Sequence, residues 1–214
     1  MFELCEFEGG YKSFSYFCTR NKHANTMNHP KPFSNNEQDQ ISSPIDFDAL
    51  LDYVYSLRLF DSEHHGIAHW RQVERNGMFL ASETGADVAV VRLFALFHDS
   101  KRATDAPDVT HGAQGAEFAK VCFEEHRFDI SQEQFEKLYH ACKFHTSEHR
   151  SGDATIDTCY DADRLDLGRV EIKLDPDKMA TSAGAKIALQ SLEEDIEPEN
   201  MRAWLSVIMH PESL

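Results

Sequence analysis

The feature that most restricts the fold of this chain is the spacing of its apolar residues after residue 45, which follows the period of an α-helix. Asp46 can cap a first helix, whose apolar stripe is Phe47, Leu50, Leu51, Val54 and Leu57. Ser131 and Gln134 fit a capping box that opens another helix. The remaining helices are predicted over about 65–83, 86–97, 112–125, 154–166, 184–195 and 199–209. Because no strand pattern follows residue 45, the sequence predicts an all-α domain.

The first 44 residues differ in composition and are predicted to be a small extension of a domain at 45–214. Residues 2–18 are rich in aromatic side chains and are interrupted by Gly9-Gly10, a pattern compatible with a β-hairpin. Residues 21–44 consist mainly of Asn, Gln, Ser and Pro, which predicts a linker or an irregular arm. The aromatic segment could cover the helical domain or form a subunit contact in a homo-oligomer.

Charge and apolar run length exclude some classes of partner. The 21 basic and 37 acidic residues give a net charge of 21 − 37 = −16, which repels nucleic-acid backbones and anionic membrane surfaces. No run approaches the roughly 18 apolar residues that a membrane-spanning helix needs. The five cysteines form no CxxC pair, as expected of reduced thiols. We therefore expect a cytoplasmic protein that binds neither nucleic-acid backbones nor membranes.

Twelve histidines suggest a metal site, and helical phase selects those that face the core. His69 and His145 lie on the apolar stripes of their predicted helices. Asp163 lies on the apolar stripe of the helix at 154–166, whereas Asp161 and Asp166 fall off it and are expected to face solvent. The phase therefore predicts that two histidines and one aspartate point towards the interior.

His98 and Asp99 end the most apolar helix of the chain, so at least one of them is expected to be partly buried. Buried imidazoles and carboxylates are costly unless they are paired, hydrogen-bonded or bound to metal. Imidazole and carboxylate ligands without thiolate suit manganese, iron, zinc or magnesium and argue against a structural zinc site. The sequence thus predicts a divalent metal site.

The order His69, His98-Asp99, Asp163 resembles the HD-domain superfamily of metal-dependent phosphohydrolases, whose pattern is one His, an adjacent His-Asp pair and a distant Asp. Segments that resemble the corresponding family segments are His65–His69, Leu96–Ser100, His111–Glu117 and Asp161–Asp166. The resemblance covers about residues 45–170 and implies an HD-domain-like helical bundle.

The resemblance also implies a set of metal ligands. His69, His98, Asp99 and Asp163 match the ligands of a first metal, and Asp99 matches the residue that bridges two ions in two-metal members. The additional histidines of those members are matched by His111 and His145. The implied cofactor is one or two divalent ions per chain, chosen among Mn, Fe, Mg, Co, Ni and Zn.

The function implied by the resemblance is hydrolysis of a phosphoester by metal-activated water, as in a phosphodiesterase or a nucleotide phosphohydrolase, with a nucleotide or another small phosphorylated metabolite as substrate. Asp99, Arg102 and His65 are then the catalytic candidates. Arg102, or alternatively Lys101, would bind the substrate phosphate, and His65 could support a ligand or contact substrate. Two alternatives stay open: a non-haem di-iron oxygenase acting on a small polar substrate, and a non-catalytic binding module.

Overall fold

The computed structural model describes residues 45–209, and these residues form helices and no β-strand. The eight α-helices of this range are α1 (Phe47–Ser56), α2 (Ile67–Thr84), α3 (Val88–Phe97), α4 (His111–Glu124), α5 (Gln132–Phe144), α6 (Ala154–Arg164), α7 (Ser182–Glu193) and α8 (Met201–Met209). Short 3-10 turns lie at Leu167–Val170, Pro176–Lys178 and Pro198–Asn200. The predicted all-α fold is confirmed. The hairpin at 2–18 and the linker at 21–44 lie outside the described residues, and the domain boundary after residue 44 stays a prediction.

Side chains at the helix starts satisfy backbone N–H groups that would otherwise lack a partner. Asp46 accepts from the backbone N–H of Ala49, and Asp87 caps α3 in the same way. Ser131 and Gln134 form the predicted capping box at the start of α5. Such caps each contribute about 1 kcal/mol to helix stability, so short polar motifs fix where these helices begin.

Helix α3 lies at the centre of the bundle and contacts α1, α2, α4, α5 and α6. Most of its residues are wholly buried, as its nearly continuous apolar sequence predicts. The chain leaves α3 at Phe97, so His98 and Asp99 follow directly and are themselves buried. The central position of α3 therefore brings the His-Asp pair into the interior of the domain.

A second apolar cluster joins the C-terminal helices to the rest of the bundle. Leu80 of α2 and Leu165, which follows α6, pack in one cluster with Ile187 of α7 and with Met201 and Leu205 of α8. Within residues 45–209, no helix is both long and apolar enough to span a membrane.

Candidate metal centre

Six predicted ligands from five helices or their ends meet in the interior of the bundle. Helix α2 contributes His69, the end of α3 contributes His98 and Asp99, and α4 begins at His111. His145 follows α5, and Asp163 lies in the last turn of α6. The first five are buried, and the side chain of Asp163 is 16% exposed. The structure therefore brings together side chains that lie up to 94 positions apart (163 − 69 = 94).

The six side chains contain two sets of donors that share Asp99. We call His69, His98 and Asp99 the first donor group and Asp99, His111 and His145 the second donor group; in each, the ligand atoms lie within 4.8 Å of one another. Oδ2 of Asp99 lies 3.5 Å from His69 Nε2 and 3.6 Å from His98 Nε2. Its Oδ1 lies 3.2 Å from His111 Nε2 and 3.9 Å from His145 Nε2. Each oxygen of one carboxylate thus faces one group.

Asp163 extends the first donor group. Its Oδ1 lies 3.3 Å from His69 Nε2 and 4.0 Å from His98 Nε2. Burial would raise the pKa of Asp163, but the neighbouring His69 ring and the positive charge of Arg169 outweigh it and hold the pKa well below its usual range. Asp163 is therefore a carboxylate, as a metal ligand must be.

Hydrogen bonds at Nδ1 turn the Nε2 atom of each histidine towards the centre. The Nδ1 of His98 donates to Phe94 O at 3.1 Å, and that of His145 donates to Cys142 O at 2.8 Å. His111 donates in the same way to the carbonyl of Asp108. Because a carbonyl only accepts, the proton of each neutral ring lies on Nδ1 and leaves a lone pair on Nε2.

The Nε2 atoms meet in pairs, and two neutral rings that both carry their proton on Nδ1 cannot form a hydrogen bond between their Nε2 atoms. His69 Nε2 lies 3.1 Å from His98 Nε2, and His111 Nε2 lies 3.1 Å from His145 Nε2. Burial lowers the pKa of His98 to about 3 and also lowers the pKa of His111, so these rings stay neutral. Burial also acts to lower the pKa of His69, but the neighbouring carboxylates of Asp163 and Asp166 outweigh it and raise that pKa.

Two buried carboxylate oxygens without hydrogen-bond partners are further evidence that these side chains fit a metal ion. Among the described residues, Asp99 Oδ1 and Asp163 Oδ1 are buried atoms without a hydrogen-bond partner. Buried lone pairs of this kind are costly unless a cation or a donor satisfies them. Spacings of 3.1–3.6 Å between donors also suit neighbouring ligands on one ion with bonds of about 2.0–2.2 Å. The site therefore fits one divalent ion in each donor group, with Asp99 between them.

Two glycines allow α4 to approach the ligands closely. A Cβ atom on Gly115 would lie 2.9 Å from His98 O and closer still to Phe97 O. A Cβ on Gly112 would lie 2.7 Å from Cys142 O and 3.2 Å from the ring of His145. Both distances are shorter than ordinary van der Waals contact, so glycine is required if α4 is to hold His111 at its observed place.

The expectation that Asp166 faces solvent was wrong. The phase argument assumed a continuous helix through residue 166, but α6 ends at Arg164 and the chain turns into a 3-10 segment. The turn buries the Asp166 side chain completely, and its Oδ2 accepts a hydrogen bond from His69 Nδ1 at 2.7 Å. Asp166 thus orients a candidate ligand, a role that helical periodicity could not predict.

The expectation for Asp161 was wrong for a different reason. Helix α6 is buried on both sides, because the segment before α7 covers the face opposite the apolar stripe. Asp161 is completely buried and accepts from the backbone N–H groups of Ala180 and Thr181 and from the Thr181 hydroxyl. Asp161 therefore ties the start of α7 to α6.

Arg102 lies at the centre, whereas Lys101 is directed away from it. Arg102 Nη1 lies 3.6 Å from Asp99 Oδ1 and 3.2 Å from both ring nitrogens of His111. Its buried Nε has no hydrogen-bond partner. Lys101 Nζ instead donates to Leu57 O at 2.6 Å and lies 3.6 Å from the centroid of the Phe118 ring. Of the two candidates for a phosphate contact, only Arg102 contacts the predicted ligands.

His65 lies beside the first donor group. Its ring centroid is 6.2 Å from that of His69, and its Nδ1 lies 2.9 Å from Asp105 Oδ1. Burial lowers the pKa of His65 in spite of the opposing effect of Asp105. His65 is therefore a neutral, oriented imidazole at neutral pH.

Arg169 is a further charged residue at the centre that the sequence analysis did not identify. Its Nη2 lies 3.7 Å from Asp163 Oδ1, while Nε donates to His64 O at 3.0 Å and Nη1 donates to Asp166 O at 3.0 Å. Arg169 belongs to a 3-10 turn, where no helical stripe indicates which side chains point inward. Its guanidinium partly balances the carboxylates of the first donor group.

The fold of this chain is similar to that of a solved protein structure. A search of protein-family models and of curated proteins found no match. The crystal structure of a predicted HD superfamily hydrolase from an uncultured Thermotogales bacterium matches with a TM-score of 0.54 and 22% sequence identity, over 75% of this chain and 90% of that chain. The likeness confirms the HD-domain fold.

Proposed function

We propose that this protein is a metal-dependent hydrolase that cleaves a phosphoester of a nucleotide or another small phosphorylated metabolite. The observation that carries the proposal is the pair of buried donor groups that share Asp99. Such a set of imidazoles and carboxylates suits hard or borderline divalent ions. The description of the Thermotogales protein as a predicted HD superfamily hydrolase supports a hydrolytic reaction.

The proposed ligands would hold up to two ions. His69, His98 and Asp163 would bind one, His111 and His145 would bind the other, and Asp99 would bridge them. When bound, divalent ions polarise a phosphoryl oxygen, lower the pKa of a coordinated water and neutralise charge in the transition state. The buried position of the ligands keeps bulk water away from them, which strengthens their electrostatic interactions.

Arg102 would bind the phosphate of the substrate. The fork of its guanidinium matches two phosphate oxygens, and its Nη1 is already within 3.6 Å of Asp99. His65, which Asp105 orients, would contact the substrate from the side of His69. Local positive charge of this kind lets a chain with a net charge of −16 bind an anion, because distant charges are screened by salt.

The same six ligands also support the second candidate function, a non-haem di-iron oxygenase acting on a small polar substrate. The observation in its favour is Asp99, whose two oxygens face separate donor groups, as a carboxylate between two irons would. Arg102 beside the centre favours a phosphorylated substrate and hence the hydrolase.

Metal analysis followed by an activity screen separates the two candidates. The purified protein is analysed for bound metal and assayed for phosphate release from a panel of phosphorylated metabolites with added Mn²⁺, Mg²⁺ or Co²⁺. Stimulated phosphate release supports the hydrolase. Two irons per chain, with oxygen consumption and no phosphate release, would support the oxygenase instead.

Substitutions then test the proposed ligands and phosphate contact. Asp99→Ala should remove bound metal and abolish activity, whereas His149→Ala, a change at an exposed histidine, should leave both unaltered. Arg102→Ala should raise KM for a phosphorylated substrate at least ten-fold, while Lys101→Ala should change it little because Lys101 is directed towards Phe118. An Asp99→Ala protein with full metal content would refute the proposed centre.

A further inference from the structure

His69 is held differently from the other three histidines of the centre. The rings of His98, His111 and His145 each donate through Nδ1 to a neutral backbone carbonyl of a residue three or four positions earlier. His69 donates instead to a carboxylate, that of Asp166, which lies 97 positions later in the chain. Only the first donor group therefore contains a histidine that depends on a distant element.

Asp166 is in turn fixed by Arg202, the second residue of α8. Arg202 Nε donates to Oδ1 of Asp166 at 2.7 Å, and Nη2 donates to Oδ2 at 2.7 Å. These are two parallel bonds between a guanidinium fork and a carboxylate, the geometry that best fixes the plane of the carboxylate. The Asp166 side chain is completely buried, whereas the Arg202 side chain is 40% exposed, so the guanidinium covers the carboxylate from the surface side.

We call the hydrogen-bonded row of Arg202, Asp166 and His69 the α8 relay. This row determines how strongly Nε2 of His69 can bind a metal ion. A carboxylate on Nδ1 orients an imidazole and strengthens it as a ligand, and loss of such a support typically weakens metal binding about 10–100-fold. The carboxylate gives this support only while its own plane is fixed. Without Arg202, Asp166 would be a buried charge with one remaining side-chain partner, His69.

We propose that Arg202 is a positioning residue for the metal ion of the first donor group and that α8 must be docked for this ion to bind tightly. The two histidines of the second donor group, His111 and His145, are held by carbonyls of their own segments and not by α8. The two ions should therefore respond differently to a change at Arg202. The inference rests on the proposed metal centre.

Titration with Co²⁺, followed by the visible absorption of the bound ion and by calorimetry, tests the α8 relay without an activity assay. Arg202→Met should weaken one of the two Co²⁺ binding steps, that of the first donor group, about 10–100-fold and leave the other step much less changed. Arg202→Lys keeps the positive charge but not the guanidinium fork, so its Co²⁺ affinity should lie between those of Arg202→Met and the wild type. Arg75→Met is the matched control, because Arg75 lines the same surface groove but bonds to Gln72 and not to Asp166.

Hydrogen exchange on the wild-type protein provides a second measurement that does not depend on the folding of a variant. Coupling is reciprocal, so Co²⁺ binding should slow amide exchange in α8 if α8 strengthens binding. Equal Co²⁺ affinity in Arg202→Met and wild type, equal weakening of both steps, or unaltered exchange in α8 would each overturn the inference. Failure of the wild-type protein to bind Co²⁺ would instead refute the proposed metal centre.

Discussion

Replacement of Gly115 by alanine should damage the second donor group selectively. The added Cβ would lie 2.9 Å from His98 O and closer still to Phe97 O, and ordinary contact begins at about 3.4 Å, so the His98 contact alone requires α4 to move by at least 3.4 − 2.9 = 0.5 Å. The obstacle is backbone, which cannot move aside as a flexible side chain can. His111 lies four residues before Gly115 and would move with the helix.

The size of the expected effects follows from this displacement. Metal–ligand distances tolerate about 0.2 Å, so a shift of about 0.5 Å between His111 and Asp99 should weaken Co²⁺ binding to the second donor group by about ten-fold or more. Overpacking costs about 1–3 kcal/mol, and alanine recovers roughly 0.5–1 kcal/mol of helix propensity. We expect a net loss of about 1–2 kcal/mol in the free energy of unfolding, or a Tm lower by roughly 2–8 °C.

Co²⁺ titration and thermal unfolding of Gly115→Ala measure both effects. Gly85→Ala is the control, because Gly85 has a φ of +72° and a Cβ there would meet no atom within 4 Å. The control should lose about 1 kcal/mol through backbone strain but keep both Co²⁺ binding steps. If Gly115→Ala bound two ions as tightly as the wild type, α4 would not depend on close contact with the end of α3, and the packing argument would be refuted.

Three further predictions concern stability. In protein held at a free Mn²⁺ concentration of about 100 times Kd, removal of the ion by a chelator should lower the free energy of unfolding by about 2.7 kcal/mol and Tm by roughly 5–11 °C. An unaltered Tm in calorimetry would contradict metal binding to the folded state. Asp161→Ala should lower the free energy of unfolding by roughly 2–4 kcal/mol in urea denaturation, because the buried N–H groups of Ala180 and Thr181 lose their acceptor, and a loss under about 1 kcal/mol would count against this role. Burial lowers the pKa of His98 from 6.5 to about 3, so below pH 6.5 the unfolded chain binds a proton that the folded, metal-free protein does not. The urea midpoint of metal-free protein should therefore fall as the pH decreases from about 6.5 towards about 3. The urea midpoint of the His98→Gln variant should fall less steeply over that range.

Much of the architecture could be predicted from local sequence. The helices of residues 45–209 were predicted because each buries an apolar stripe of helical period, and the capping box of Ser131 and Gln134 forms as its spacing predicts. The burial of His69 and His145 also followed, since these residues lie on apolar stripes, whereas for His98 and Asp99 the sequence predicted only that at least one is partly buried. These properties depend on neighbours within a few turns of one helix, which is the range over which periodicity carries information.

The supporting residues of the centre could not be predicted in this way. Asp166 and Arg169 follow the end of α6, where the chain changes direction and the helical phase no longer applies. Asp161 faces away from the apolar stripe of its helix, yet α7 and the segment before it bury that face as well. In each case the sequence pattern indicated a solvated or unassigned position, and a contact from a distant segment determined the outcome.

The sequence by itself determined which segments form helices, where several of them begin, and that His69, His145 and Asp163 point towards the interior. Only the tertiary structure decided that Arg102 rather than Lys101 contacts the predicted ligands and that Arg202 supports His69 through Asp166. The physical reason is the distance along the sequence over which each property is determined. Helix formation and burial depend on the spacing of nearby residues, whereas the direction of a charged side chain depends on partners that folding brings from 36 to 97 positions away.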